Sequence, residues 1–266
     1  MLEDFRQPLS KRWTQTTIGG GALTSEDAIL RLSLAETLAD HYSDAQIDDY
    51  GKLARVNFPW RPPLRMEVEA RASLPAADTN STTASAVLRG TAGFGFWNYP
   101  FSVRGDILML PEAVWFFYAS PPSNMALVPG LPGWGWKAQV VHAMRPGALL
   151  STPPMVLSTA LAVLSGKTAP AARWMQRLSG AHEALLQTEL TTWHRYTLEW
   201  HAQEALFSVD GELVLRAPNP PVRPLGFVAW LDNQFAVATP RGVLRFGSVK
   251  TGAQWCEISQ LRIESL

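Results

Sequence analysis

The stretch from His194 to Arg216 limits the fold of this chain more than any other part of it. Tyr196, Leu198 and Trp200 alternate with Thr197, Glu199 and His201, the period of two that sets one side of a strand against a core. A second run, 205–210, and a third, 211–216, follow at once, joined by Asp210-Gly211. That dipeptide is favoured in a tight type I′ turn, where both central residues take positive φ. Consecutive hairpins need further strands to cover their apolar side, the pattern of an all-β sandwich or barrel. The rest of the chain follows suit. Short runs bounded by Gly, Pro and Asn/Asp predict strands over 28–34, 44–50, 64–71, 92–97, 113–119, 136–143, 226–231, 235–238 and 256–265. The fold class is all-β.

One segment departs from this pattern. From Pro154 to Thr191 the chain is rich in Ala, Leu, Met and Gln, with Leu157, Leu161 and Leu164, then Trp174, Leu178, Leu185 and Leu186, at helical spacing. This predicts a short helical insertion over 154–191, covering a sheet edge or acting as a lid. The polar run from Ala72 to Ser85 predicts an exposed loop, and its sequon Asn80-Ser81-Thr82 matters only in a secreted protein. No repeat or linker divides residues 1–266, which read as a single domain with that insert.

Composition removes whole classes of function. Lys plus Arg and Asp plus Glu both count 23, giving zero formal charge and a pI near 7.0. A balanced chain lacks the basic field that meets nucleic-acid phosphates or an anionic membrane surface. The single Cys256 cannot form an internal disulfide, and no Cys/His spacing suits zinc. The N-terminus carries acids where a leader would be basic, and the longest apolar run, Met155–Leu164, falls well short of the ~20 residues of a membrane span. The reading is a soluble, cytoplasmic protein. Aromatics stand out, with 11 Trp and 11 Phe against 5 Tyr. They suit a thick sandwich core, and equally a set of flat platforms for rings.

His194-Arg-Tyr-Thr-Leu-Glu-Trp200 and Leu206-Phe-Ser-Val-Asp-Gly211 resemble the late strand pair of family 16 glycoside hydrolases and other concanavalin A-like lectin/glucanase domains. Tyr50-Gly51 to Ala70-Arg71, Gly93-Phe-Gly-Phe-Trp97 and the closing Cys256-Glu-Ile-Ser-Gln-Leu-Arg-Ile-Glu264 are similar to further strands of that superfamily, in the same order. The resemblance implies a jelly-roll sandwich of two curved antiparallel sheets whose concave face binds polysaccharide. It also implies a catalytic strand bearing Glu-x-Asp-x-Glu or Glu-x-Asp-x-x-Glu just after the Phe-Trp strand. The candidate here, Glu112-Ala-Val-Trp-Phe-Phe-Tyr-Ala119, has one Glu and then aromatics, and the motif occurs nowhere in the chain. Hydrolysis by the family's own retaining mechanism, with two carboxyls ~5–5.5 Å apart, is therefore not expected.

What remains is a ligand-binding face. Trp97, Trp115 and Trp230 are candidate stacking platforms, with Asn98, Gln139 and Asp232 as hydroxyl partners for a carbohydrate or a planar metabolite. Alternation places Val228, Trp230, Asp232 and Gln234 on one face, and Asp44, Gln46, Asp48 and Tyr50 on one face of their own strand. The competing enzyme reading draws a non-standard acid/base set from Asp48, Glu112, His142 and Asp232. Gln139-Val-Val-His142 is similar to the Gln/His strand of jelly-roll alginate lyases, whose other signature strands have no counterpart here. No cofactor is expected, a structural Ca²⁺ on the acidic stretch being the one metal its oxygen ligands suggest. Gly93-x-Gly95 precedes no helix and so is no phosphate loop; it reads as room for neighbouring aromatics. The aromatics of Trp97-Asn-Tyr-Pro100 and Gly133-Trp-Gly-Trp136 are candidates for the rim or the core.

Overall fold

The computed structural model describes residues 1–77, 87–100, 110–125, 127–128, 130–143, 180–238 and 244–266. Its strands run in chain order as β1 (Leu2–Glu3), β2 (Thr14–Ile18), β3 (Gly21–Glu26), β4 (Ile29–Leu34), β5 (Asp44–Asp48), β6 (Leu64–Ala72), β7 (Thr91–Trp97), β8 (Glu112–Ala119) and β9 (Asn124–Met125). They continue as β10 (Gly135–His142), β11 (His182–Leu185), β12 (His194–Trp200), β13 (Glu204–Val209), β14 (Glu212–Pro218), β15 (Gly226–Asp232), β16 (Gln234–Ala238), β17 (Leu244–Ser248) and β18 (Gln254–Ser265). The one helix among the described residues is a 3₁₀ turn at Arg55–Asn57, and none is long and apolar enough to cross a membrane.

An eight-stranded sheet runs β14-β13-β12-β6-β18-β4-β3, with β1 also on β18. A seven-stranded sheet runs β11-β10-β8-β7-β15-β5-β2, and a small third sheet joins β17, β16 and β9. All pairings in the two large sheets are antiparallel, as a jelly-roll sandwich requires. The hairpin at Asp210-Gly211 forms as its sequence dictates, with φ of +51° and +86° at the two turn residues.

The core lies between the large sheets. Tyr196, Leu198 and Trp200 of β12, Met66 and Val68 of β6 and Phe207 of β13 meet Phe94 and Phe96 of β7, Val114, Phe116 and Tyr118 of β8, and Phe227, Ala229 and Leu231 of β15. β6 shows the strict alternation, its even-numbered residues from Leu64 to Ala72 buried and the odd ones half-buried. In β18 the period breaks at Ser259, where a bulge carries the inward positions from Ile258 to Leu261 and Ile263. Trp136 belongs to this core, ringed by Phe94, Phe116 and Tyr196, and so is not a rim aromatic.

Most of the predicted helical insertion over 154–191 lies outside the described residues, as do the sequon and residues 78–85 of the polar run. The end of that insertion is not helix. His182–Leu185 is an edge strand, pairing with Val140 back to Lys137 of β10. Glu, Ala and Leu favour helix on their own, but an open strand edge offers this backbone hydrogen-bonding partners that outweigh so weak a preference.

Candidate functional site

The face of the seven-stranded sheet turned away from the core is where the predicted site residues gather. Register fixes the arrangement: one row across the sheet reads Asp48, Val228, Gly95, Trp115, Gln139, Glu183, and the next reads Gln46, Trp230, Gly93, Phe117, Lys137, Leu185. A third brings Asp44, Asp232, Thr91 and Ala119 into line.

Aromatic rings hold the middle of this face. Trp115 lies 5.2 Å from Trp230, 5.4 Å from Phe117 and 5.7 Å from Trp97, measured between ring centroids. Tyr50, Phe58, Val228 and Trp230 form an apolar cluster of their own, with Trp97, Tyr99, Trp115 and Phe117 packed on it. Trp97, Trp115 and Phe117 are half-buried and Trp230 is buried among them. The glycines of β7 make the platform possible. A Cβ on Gly93 would sit 2.8 Å from the Trp230 ring, which leans across β7 over bare backbone, and one on Gly95 would sit 2.6 Å from the Cα and Cβ of Trp115, so the strands pack too closely there for a side chain.

Carboxyls occupy one end. Asp44 and Asp232 are direct partners across β5 and β15, both almost sealed from solvent. Asp232 Oδ1 accepts from the Thr91 hydroxyl at 2.7 Å and from the Gln234 amide at 3.0 Å, and Thr91 in turn accepts the Trp230 indole N–H at 2.9 Å. The carboxyl end and the ring platform are thus one hydrogen-bonded unit. Burial pushes Asp232 up to about 6. Burial, followed by the nearby Asp232 and Asp48, pushes Asp44 up to about 8 against a lowering hydrogen bond with Tyr42.

Other candidates are placed differently. Asp48 shares this face, but its oxygens are taken by the amides of Tyr50 and Gly51 and by Gln46 Nε2, so it closes the turn after β5. Glu112 and His142 lie together, 3.3 Å apart, where β8 and β10 pair, on the strand face that carries Val114 and Val140 toward the core. His142 Nδ1 meets the Asn219 carbonyl beside the other sheet. The four acid/base candidates therefore do not converge: Asp48 and Asp232 share one face, Glu112 and His142 the other. Asn98 is spent on backbone, donating to the Leu110 carbonyl and accepting the Glu112 amide. Among the described residues, no three His, Cys, Asp or Glu side chains come together as a metal site.

Gln139 does reach the platform, and it brings two residues the sequence did not single out. The Trp115 indole donates to Gln139 Oε1 at 2.5 Å, Gln139 Nε2 donates to Glu183 Oε1 at 2.5 Å, and Lys137 Nζ donates to Glu183 Oε2 at 2.8 Å. Parity with Gln139 along β10 was the available signal for Lys137; Glu183 was hidden in a stretch whose composition is helical. Asp44 was on the correct face from alternation alone, without its pairing to Asp232.

No protein-family model matches the chain, and no curated protein does. Solved structures match it over nearly its whole length. An endo-acting O-glycanase of the human gut microbiota, linked to mucin breakdown, has a TM-score of 0.56 at 12% identity, covering 100% of this chain and 98% of that one. A β-1,3-1,4-glucanase (lichenase) from a mouse hindgut metagenome has a TM-score of 0.54 at 13% identity, with 100% and 99% covered. A family 16 endo-glucanase from Bacteroides ovatus has a TM-score of 0.52 at 12% identity, with 99% of each chain covered. The likeness is one of fold: two antiparallel sheets in the glucanase jelly roll.

Proposed function

We propose that this protein binds a carbohydrate, or a ligand with a similarly flat apolar face, on the ring platform of its seven-stranded sheet, without the hydrolytic chemistry of family 16. The observation that carries the reading is the contiguous run Trp97–Trp115–Phe117–Trp230, four rings spaced at 5–6 Å and bordered by Gln46, Thr91 and Asp232. A pyranose offers C–H faces to stack on rings and hydroxyls for polar groups at the border, the division this face provides. The glycan-acting proteins that share the fold add support. Strand β8 offers Ala113, Trp115, Phe117 and Ala119 to the platform, aromatics and alanines where the resemblance calls for carboxylates.

A second reading, a divergent glycosidase, is favoured by one observation. Asp44 and Asp232 face each other with Asp44 pushed up to about 8 and Asp232 to about 6, so near pH 7 one is protonated and the other largely ionised. That is the division an acid/base couple uses.

Calorimetric titration with a β-1,3-1,4-glucan tetrasaccharide and with planar aromatic metabolites, followed by product analysis, separates the readings. Saccharide binding that is lost in Trp115→Ala, with no product, is expected. Reducing-end release abolished by Asp232→Asn would move the assignment to hydrolysis. Binding of planar metabolites alone would end the carbohydrate claim, and no binding by any of them would end the ligand reading.

A further inference from the structure

The geometry points to Lys137, Glu183 and Gln139 as a positioning relay that sets the indole of Trp115 in the platform. The inference rests on the binding reading above only where ligand affinity is concerned. Its premise is the direction of each hydrogen bond. Lys137 has donors alone and the ionised Glu183 acceptors alone. The Lys137 and Glu183 side chains are almost wholly buried, at 3% and 0% exposure, on the strands that edge the platform. Glu183 Oε1 must take a donor, so the Gln139 amide turns its nitrogen to Glu183 and its oxygen to the Trp115 N–H. Turned the other way, that amide would set a donor against the indole N–H and leave a carboxylate oxygen facing a carbonyl. The charge of Glu183 thus chooses the amide orientation, and the amide fixes the ring that contacts Phe117, Trp97 and Trp230. Lys137 and Glu183 reach the Trp115 N–H only through Gln139, so they are positioning residues, carried by β10 and the short edge strand β11.

The test uses Gln139→Leu, which severs the link and leaves the Lys137–Glu183 pair, and Trp115→Phe, which keeps a ring and deletes the N–H. In ligand-free protein the obliquely set indoles of Trp115 and Trp230 give an exciton couplet in circular dichroism, and Trp115→Phe identifies its share of the spectrum. Gln139→Leu is expected to change that share while the rest of the spectrum stays native. For the β-1,3-1,4-glucan tetrasaccharide, each variant is expected to bind about three- to tenfold more weakly, the net worth of one hydrogen bond. The double variant should be no weaker than the worse single one, since both remove the same bond. An unchanged couplet in Gln139→Leu overturns the relay, and so does strict additivity in the double variant. Should the wild type bind no saccharide, the binding reading fails, and the couplet still decides the relay by itself.

Discussion

At the scale of single residues, this molecule buries carboxyls where most proteins would not. Asp44, Asp48 and Asp232 on the platform face, and Asp49 beside the core residue Phe227, all have burial as the main cause of an upward shift. Asp49 has a structural role, accepting the Trp60 indole N–H and the Phe227 amide. The sign of the pH effect follows. Below about pH 4 the folded and unfolded chains both hold these protons; above it the unfolded chain releases them first. Stability therefore falls as pH rises, through about 6 for Asp49 and Asp232 and onward to about 8 for Asp44. Asp40 and Asp210 shift downward, so their effect has the opposite sign and is confined to acid below their ordinary values. Asp232→Asn is an informative variant because every bond it accepts falls on Oδ1, which an amide oxygen can reproduce. Urea midpoints measured from about pH 4 to pH 8 should decline in the wild type and decline less in Asp232→Asn. Equal slopes would mean that Asp232 ionises as freely in the folded protein as in the unfolded chain.

At the scale of elements, a glycine in a turn and a glycine within a strand are held by different constraints, and substitution separates them. Gly211 takes φ +86° in the hairpin turn, and a Cβ there would meet nothing within 4 Å, so Gly211→Ala costs only backbone strain, about 1–2 kcal/mol. Gly95 takes φ +146° and would drive a Cβ to 2.6 Å from the Trp115 backbone, adding overpacking to strain, roughly 2–5 kcal/mol together. Denaturant midpoints should rank the two variants in that order, and only Gly95→Ala should alter indole emission. The same contrast explains what could be read from sequence. All twelve predicted strands are present, and those of the two large sheets each pack an apolar side that makes them legible. β2 and β3 escaped because they are sheet edges, Thr14-Gln-Thr-Thr-Ile18 and Gly21-Ala-Leu-Thr-Ser-Glu26, mostly exposed and without an apolar alternation to read. β11 escaped because its composition is helical and its reason for being a strand is another strand. In the site, alternation assigned Trp230, Asp232, Asp44 and Gln46 to the correct face. It could not tell that Asn98 spends its amide on the backbone of Leu110 and Glu112, or that Asp48 spends its oxygens on the following turn and on Gln46, because that depends on turn and loop geometry.

At the scale of the whole molecule, the sandwich is closed by its own last strand. β18 lies between β6 and β4 in the eight-stranded sheet and also holds β1, so strands from the two ends of the chain meet there. Such a topology defers a large share of the stabilisation until sequence-distant segments have met, the condition that slows folding. It also makes the fold an all-or-none proposition at that strand. Ile258, Leu261 and Ile263 are 2%, 0% and 0% exposed. Burying each is worth about 1.5–3 kcal/mol, so these three alone supply roughly 5–9 kcal/mol, comparable with the whole net stability of a typical domain at about 5–15 kcal/mol. Without β18 the sheet would part into β14-β13-β12-β6 and β4-β3, two fragments with unpaired inner edges. A chain ending at Ala253 is therefore expected to lack near-ultraviolet dichroism and to expose its amides to rapid hydrogen exchange, and a synthetic peptide of residues 254–266 should restore both. Native-like protection in the truncated chain by itself would show that the seven-stranded sheet, with its ring platform, holds without the sheet behind it. The platform would then be an independent binding layer, where the present geometry makes it the outer surface of a sandwich that forms only as a whole.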